Sequence, residues 1–179
     1  MNGETRWNSK TSKTIVGIAA TVAMLVLAAS TAAAHGNGVK AKGDLILFSN
    51  PYGDNRSNPI GDGATAKVHS VDTDHGSTTV TLHVKGLPAN RTFGAHVHLL
   101  ACNDNKAGGH YRNHPNAPAS PDNEIWLDFT TNHAGNGQAR TTVPFVIRSG
   151  EANAVVIHDH ETDANGVAGA KLACLDVDF

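Results

Sequence analysis

Four histidines crowd around a cysteine in the run GAHVHLLACNDNKAGGHYRNHP, residues 94–115. They are His96, His98, His110 and His114. In an extended strand side chains alternate, so His96 and His98 project from one face, roughly 7 Å apart along the backbone. Two imidazoles on one face can share a metal ion, although H-x-H also arises on solvated strands and in some zinc enzymes. The run indicates either a metal site or a cluster of polar loop residues.

Two further features favour the metal site. His110 follows Gly108 and Gly109, where missing side chains let the backbone bend and bring an imidazole back over the strand. His158 ends the apolar run AVVI, where a buried strand emerges and can deliver a ligand. Four imidazoles without a thiolate suit copper or zinc, and on a redox metal they leave access only at an axial position.

The elements that must position these side chains are short strands. No long window has the helical 3.6-residue period, whereas alternating runs separated by Gly, Asn, Asp and Pro recur. In STTVTLHVKGL, Val80, Leu82 and Val84 face one way and His83 faces solvent. The others are DLILFS, ATAKVHSV, TFGAHVHLL, EIWLDFTT, QARTTVPFVI, NAVVIHDH and AKLACLDVDF. Eight strands predict an all-β antiparallel sandwich or closed barrel, with long loops at 101–123 and 159–170 as candidate site regions.

The motifs GAHVH, GGHY, VVIH and AKLAC, in that order, resemble the copper-zinc superoxide dismutase family. The similarity runs from about Asp44 to Val177 and is more specific as an ordered set than any single motif. It implies an eight-stranded Greek-key β-barrel or sandwich and a disulfide between Cys102 and Cys174. It also implies a copper-dependent enzyme that converts superoxide to hydrogen peroxide and dioxygen by alternating Cu(II) and Cu(I).

The resemblance assigns His96, His98, His110 and His158 as copper ligands. Zinc ligands would be His110, which can bridge the two metals, His114 and Asp128. The family's third zinc histidine is replaced by Ile125, with Glu124 as the nearest substitute. This departure resembles a copper-only branch, in which zinc is absent or optional and Asp128 or Glu124 holds the far nitrogen of His110.

Two catalytic roles follow from the same resemblance. His110 would take up a proton and later donate it, in keeping with the titration of imidazole near neutral pH. The family's active-site arginine is here Lys171, a point charge that would steer superoxide but orient it less well than a guanidinium. The segment from His158 to Cys174 is also short compared with the family's electrostatic loop.

The chain begins with a short basic segment followed by an uncharged stretch, 14–34, that ends in small residues. This predicts a secretory signal peptide at 1–34 with an A-x-A cleavage site, and a single domain at 35–179. An uncleaved membrane anchor is the alternative. Export to the cell envelope, periplasm or exterior is expected, and His35 at a new N-terminus could chelate copper.

Cys102 and Cys174 are the only cysteines of the chain. In an oxidising compartment such a pair usually forms a disulfide, and the alternative is a pair of thiolate metal ligands. Four other histidines, His69, His75, His133 and His160, are interpreted as surface residues, and His160 repeats the H-x-H spacing with His158.

The charge balance bears on partners. Residues 35–179 hold eleven Lys/Arg against fifteen Asp/Glu, which favours a small soluble substrate, superoxide, over nucleic acid or a membrane. The sequence leaves the oligomeric state open. Two other functions are compatible with the histidines: a non-catalytic copper-binding or copper-delivery protein on the same fold, and a zinc hydrolase or hydratase.

Overall fold

The computed structural model describes Gly3 and residues 38–179. The predicted cleavage site and His35 therefore lie outside the described residues, as does the predicted signal segment apart from Gly3. No helix among the described residues is long and apolar enough to cross a membrane.

Residues 38–179 form an all-β structure with antiparallel pairing. Its strands are β1 Gly38–Asp44, β2 Ile46–Leu47, β3 Thr65–Asp72, β4 Thr78–Lys85, β5 Thr92–Phe93, β6 Ala95–His98, β7 Phe129–Thr130, β8 Gly137–Val143, β9 Ala154–His158 and β10 Lys171–Asp176. They form two four-stranded sheets, of order β1-β3-β4-β8 and β2-β10-β9-β6, and a two-stranded pair β5-β7. The predicted all-β class is confirmed, and the two larger sheets fit a sandwich.

Strand β4 shows how the sequence produces the sandwich. Val80, Leu82 and Val84 are buried and the intervening His83 is exposed, as the alternation predicts. The same alternation in β3 and β8 gives this sheet one apolar face and one solvated face. Strands β6 and β9, by contrast, are buried at every position, so both of their faces are covered, although β6 is the last strand of its sheet.

The predicted count of eight strands is not confirmed, because ten are present in the described residues and they do not close into a barrel. β1 was missed, since GVKAKGD alternates Lys and Gly with small apolar residues and has little β-branched content. The predicted strand TFGAHVHLL is divided at Gly94 into β5 and β6. The predicted strand EIWLDFTT pairs as β7 only over Phe129–Thr130.

Candidate metal centre

Two strands and one loop bring four histidines together. His96 and His98 lie on β6, His158 ends the neighbouring β9, and His110 is carried by the loop, where it forms a backbone bridge to His98. One ring nitrogen from each of the four lies within 4.8 Å of the others. The four residues predicted as copper ligands thus form one cluster that could hold a metal ion.

Burial favours the neutral form of three of these imidazoles, because it lowers the pKa of His96, His98 and His158. His96, His98 and His158 are buried, and His110 is partly exposed, with 18% of its side chain accessible. Burial, assisted by the neighbouring imidazoles and Lys171, lowers the pKa of His98 to about 2. Burial also lowers the pKa of His158 to about 4, against a hydrogen bond to the Gly169 carbonyl that raises it. Since only neutral imidazole binds a metal, the cluster is poised for binding.

Two ligand rings are oriented by backbone carbonyls. The Nδ1 atom of His98 lies 3.1 Å from the carbonyl oxygen of Gly108, and Nδ1 of His158 lies 3.3 Å from that of Gly169. A carbonyl only accepts, so in each ring Nδ1 carries the hydrogen and Nε2 is left as the ligand atom. These two Nε2 atoms lie 3.2 Å apart.

A hydroxyl orients the third ring. Nε2 of His96 lies 2.8 Å from Oγ1 of Thr162, whose own hydrogen is donated to Asp128 at 2.7 Å. Thr162 therefore accepts from His96, which places the hydrogen on Nε2 and leaves Nδ1 free. That Nδ1 is buried and has no hydrogen-bond partner in the described structure. A buried unpaired acceptor is costly, and a metal ion at the cluster would satisfy it, so these residues fit a metal.

Glu124 orients the fourth ring. Its carboxylate is fully buried and accepts three hydrogen bonds, from His110 Nδ1 at 2.9 Å, Trp126 Nε1 at 2.8 Å and Arg112 Nε at 2.8 Å. Burial alone would raise the pKa of Glu124, but these three donors bring it below its usual value. Glu124 is thus an anion that holds a hydrogen on Nδ1 of His110 and leaves Nε2 free.

The residues predicted as zinc ligands are not brought together. Among the described residues, neither His114 nor Asp128 belongs to a group of three or more His, Cys, Asp or Glu side chains whose potential ligand atoms lie within 4.8 Å of one another. Both carboxylate oxygens of Asp128 accept hydrogen bonds from Thr162, and one also accepts from the amide of Ala95. His114 is exposed. Asp128 therefore supports Thr162, the residue that orients His96. Glu124 occupies Nδ1 of His110, the nitrogen that would have faced a zinc ion.

Lys171 lies beside the cluster, but its ammonium is engaged. It donates hydrogen bonds to the carbonyl oxygens of Lys106, at 2.8 Å, and Gly108. The same Gly108 carbonyl oxygen also accepts a hydrogen bond from Nδ1 of His98, so Lys171 and His98 share one acceptor. Burial and the nearby Lys106 lower the pKa of Lys171. Its charge contributes to the lowered pKa values of His98 and His158.

The turn that presents the Gly108 carbonyl has an unusual backbone. Asn105, Lys106 and Ala107 all have positive φ, at 46°, 50° and 64°. Such a conformation costs non-glycine residues energy, of order 1–2 kcal/mol each. Gly108 continues it at 63°, and a Cβ there would lie 2.9 Å from Leu100. Of the two glycines predicted to allow the bend, Gly108 is thus required, whereas a Cβ at Gly109 would meet nothing within 4 Å; the hydrogen bonds of Lys171 hold the turn in place.

A disulfide joins the loop to the sheet. Cys102 and Cys174, whose Cα atoms are 5.7 Å apart, are bonded and buried, which confirms the predicted bridge and excludes the alternative of free thiolate ligands. Cys174 lies on β10, the neighbour of β9. The bridge therefore ties the start of the loop bearing His110 to the sheet bearing His158.

The remaining histidines lie outside the cluster. His75, His83, His133 and His160 are exposed and His69 is half-buried on β3. His160 lies 3.3 Å from a carboxylate oxygen of Asp159, and the ligand group does not include it.

Sequence reasoning missed the roles of Thr162, Trp126 and Arg112. None of the three types is a usual metal ligand, and Thr162 lies 66 residues from the His96 that it orients. Glu124 was detected because it is adjacent to the position where a family histidine is absent.

No protein-family model and no curated protein matches this chain. Among solved structures the chain is similar to one titled "Crystal Structure Analysis of the clock protein EA4". The two share 16% sequence identity with a TM-score of 0.48, over 76% of this chain and 93% of that chain. We draw neither fold nor function from this similarity.

Proposed function

We propose that this protein is an exported copper-dependent superoxide dismutase that functions without a zinc ion. The observation that carries the proposal is the cluster of four imidazoles, each with one nitrogen fixed by a protein acceptor and with one ring nitrogen of each within 4.8 Å of the others. Imidazole donors without thiolates or carboxylates suit copper. Bound copper would supply one-electron chemistry, which the disproportionation of superoxide requires and zinc does not offer.

The four orienting contacts allow the site to bind without rearrangement. Each far nitrogen has its acceptor in the protein: a carbonyl for His98, a carbonyl for His158, Thr162 for His96 and Glu124 for His110. Fixed tautomers of this kind raise metal affinity and set ring orientation. The centre is therefore preorganised for one ion.

His110 is suited to proton transfer. It is the one partly exposed imidazole of the cluster, and Glu124 keeps a hydrogen on Nδ1, so Nε2 is the nitrogen that is available for a proton. Whenever its Nε2 is not bound to the metal, His110 would hold a proton there and deliver it to the reduced product.

Lys171 supplies positive charge near the site for an anionic substrate. Its hydrogen bonds to the carbonyls of Lys106 and Gly108 restrict the ammonium, so we assign it a role in attraction and not in orientation of superoxide. This same restriction favours the second candidate function, a copper-binding or copper-delivery protein that does not turn over superoxide.

Metal analysis and a superoxide-consumption assay on the copper-loaded protein test the proposal. We expect one copper per chain and a rate far above that of buffer, both lost in His158→Ala. His133→Ala, an exposed histidine in a turn, is the matched control and should change neither. Stoichiometric copper without activity would support delivery, and uptake of zinc with no copper would refute both functions.

A further inference from the structure

The sheet β1-β3-β4-β8 carries five cations on its solvated side. Alternate residues of these strands point outward, and the exposed ones include Lys40, Lys42, Lys67, Lys85 and Arg140. We call these five residues the basic face. They are five of the eleven Lys/Arg in residues 35–179, a region whose formal charge is negative. The metal-centre histidines of β6 and β9 belong to the other sheet.

Strand register places two of these cations side by side and spreads the other three over the face. Lys42 lies directly opposite Lys67, which lies opposite His83. In the next row Lys40 lies opposite His69, and Arg140 closes that row opposite Thr81. Directly opposite side chains have Cβ atoms about 5 Å apart, and like charges there are destabilising.

These cations are not neutralised by ion pairs. In the described residues Arg56, Arg91, Arg112 and Arg148 each pair with a carboxylate, whereas no member of the basic face does. Among the outward-facing residues of the four strands, one is acidic: Asp44, at the end of β1. Among the described residues the other arginines are thus paired with carboxylates, and one sheet face keeps repelling charges.

The geometry favours a linear anionic polymer as the ligand. Lys42 and Lys67 lie about 5 Å apart across strands, Lys40 and Lys42 lie about 7 Å apart along β1, and Arg140 lies three strands away, so the cations cover a length that an extended chain of anionic groups matches better than one small anion. The repulsion between Lys42 and Lys67 would be relieved by such a ligand. A small anion could neutralise only part of the array.

The other outward residues select among polymers. Apart from the imidazoles of His69 and His83, the outward rows of this sheet contain no Phe, Tyr or Trp on which bases could stack, which disfavours single-stranded nucleic acid. They hold a single large apolar residue, Val71, which disfavours insertion into a membrane. Instead, hydroxyls and an amide lie beside the cations, from Thr79, Thr81, Thr142 and Gln138.

Short side chains leave a depression in this face. A shallow cavity of about 280 Å³ is lined by His69, Thr79, Thr81 and Arg140, together with Val71 and Thr73. It combines a guanidinium with hydroxyl groups that can bond to sugar hydroxyls. We propose that the basic face binds an anionic polysaccharide, with sulfate, phosphate or carboxylate groups on the cations and a sugar unit in the cavity.

The test compares two triple variants of the purified protein that change its net charge equally. Lys42→Gln/Lys67→Gln/Lys85→Gln removes three charges from the basic face. The control, Asn55→Asp/Asn116→Asp/Asn165→Asp, adds three negative charges at exposed positions outside the sheet. Binding to immobilised dextran sulfate is measured from low to physiological salt, with unsulfated dextran, poly(dT) and phosphatidylglycerol vesicles as comparison ligands.

We expect the wild type and the control to bind dextran sulfate, and the lysine variant to lose affinity about tenfold or more. Its log–log salt slope should fall by roughly 2–3, near one unit for each lost contact. The melting temperature should stay the same or rise, because the repulsion between Lys42 and Lys67 is removed, and copper binding should be unchanged, which separates this proposal from the enzymatic one. Equal losses in both variants, or tighter binding to poly(dT) or vesicles than to dextran sulfate, would overturn it.

Discussion

Replacing Glu124 with glutamine removes the negative charge that orients His110 while preserving the shape of the side chain. The carboxylate accepts from His110 and Trp126 through Oε2 and from Arg112 through Oε1. Glutamine keeps one oxygen and places an NH₂ group, which only donates, at the other position. With the oxygen toward His110 and Trp126, the NH₂ opposes Arg112, and that arrangement loses the fewest contacts.

The loss in the free energy of unfolding depends mainly on the lost hydrogen bond from Arg112. A hydrogen bond to a charged group contributes about 1.5–3 kcal/mol, whereas Arg112 is 39% exposed and can turn its guanidinium to water. Removal of a buried charge also recovers some desolvation energy. We therefore expect a loss of about 2 kcal/mol in the free energy of unfolding, or roughly 8 °C in melting temperature. Copper affinity should fall about tenfold, the lower end for an outer contact of a metal ligand.

Calorimetry of the metal-free protein and competition with a copper chelator measure the two effects. Glu151→Gln is the control, because Glu151 also pairs with an arginine, Arg148, but is half exposed. A surface pair of this kind contributes about 0–1 kcal/mol. If Glu124→Gln melts within a degree of Glu151→Gln and binds copper as tightly as the wild type, then Glu124 does not position His110.

Four further predictions concern the same site and its supports. Thr162→Val should weaken copper binding by about 10–100-fold in chelator competition, because the ring it orients loses its acceptor, whereas Thr162→Ser should not; equal affinities would contradict this role. In urea titrations the metal-free protein should lose stability as the pH falls from 6.5 towards 4. The folded-state pKa of His158 is lowered to about 4, so the unfolded chain binds more protons in that window, and each histidine with such a lowered pKa reduces the free energy of unfolding by about 1.4 kcal/mol per pH unit. A flat profile would refute this. Cys102→Ser/Cys174→Ser should lower the free energy of unfolding by about 4 kcal/mol in denaturant titrations, since the bridge spans 72 residues, and an unchanged midpoint would show that it adds no stability. Lys171→Ala should slow superoxide consumption and weaken its dependence on ionic strength, with Lys171→Arg as the control that retains both; an unchanged rate at low salt would remove Lys171 from the mechanism.

The ligand set was predictable because local patterns determine it. The alternation of a strand puts His96 and His98 on one face, and two glycines mark the bend before His110. His158 was predictable from the end of an apolar run on β9. Each inference needs only a few neighbouring residues, so the sequence carries it.

The contacts that orient the ligands were less predictable. Thr162 reaches His96 from a loop, and the position of that loop depends on Asp128, Ala95 and the packing of three separate segments. The boundaries of β5, β6 and β7 likewise follow from tertiary pairing and not from local propensity. Zinc ligands carried over from family positions, His114 and Asp128, are not brought together, because a matching residue type does not fix where its side chain bonds.

The orienting contacts divide into two kinds, and this division determines how the site can vary. His98 and His158 are held by backbone carbonyls, which no substitution removes without moving a turn. His96 and His110 are held by side chains, Thr162 and Glu124, which can change while the strands remain intact. Metal affinity and proton transfer should therefore be tunable through the second pair, and changes around the first should act mainly through the fold. The partly exposed His110 belongs to this second pair. The buried carboxylate of Glu124, which holds His110, is therefore the position at which a substitution most directly alters the chemistry.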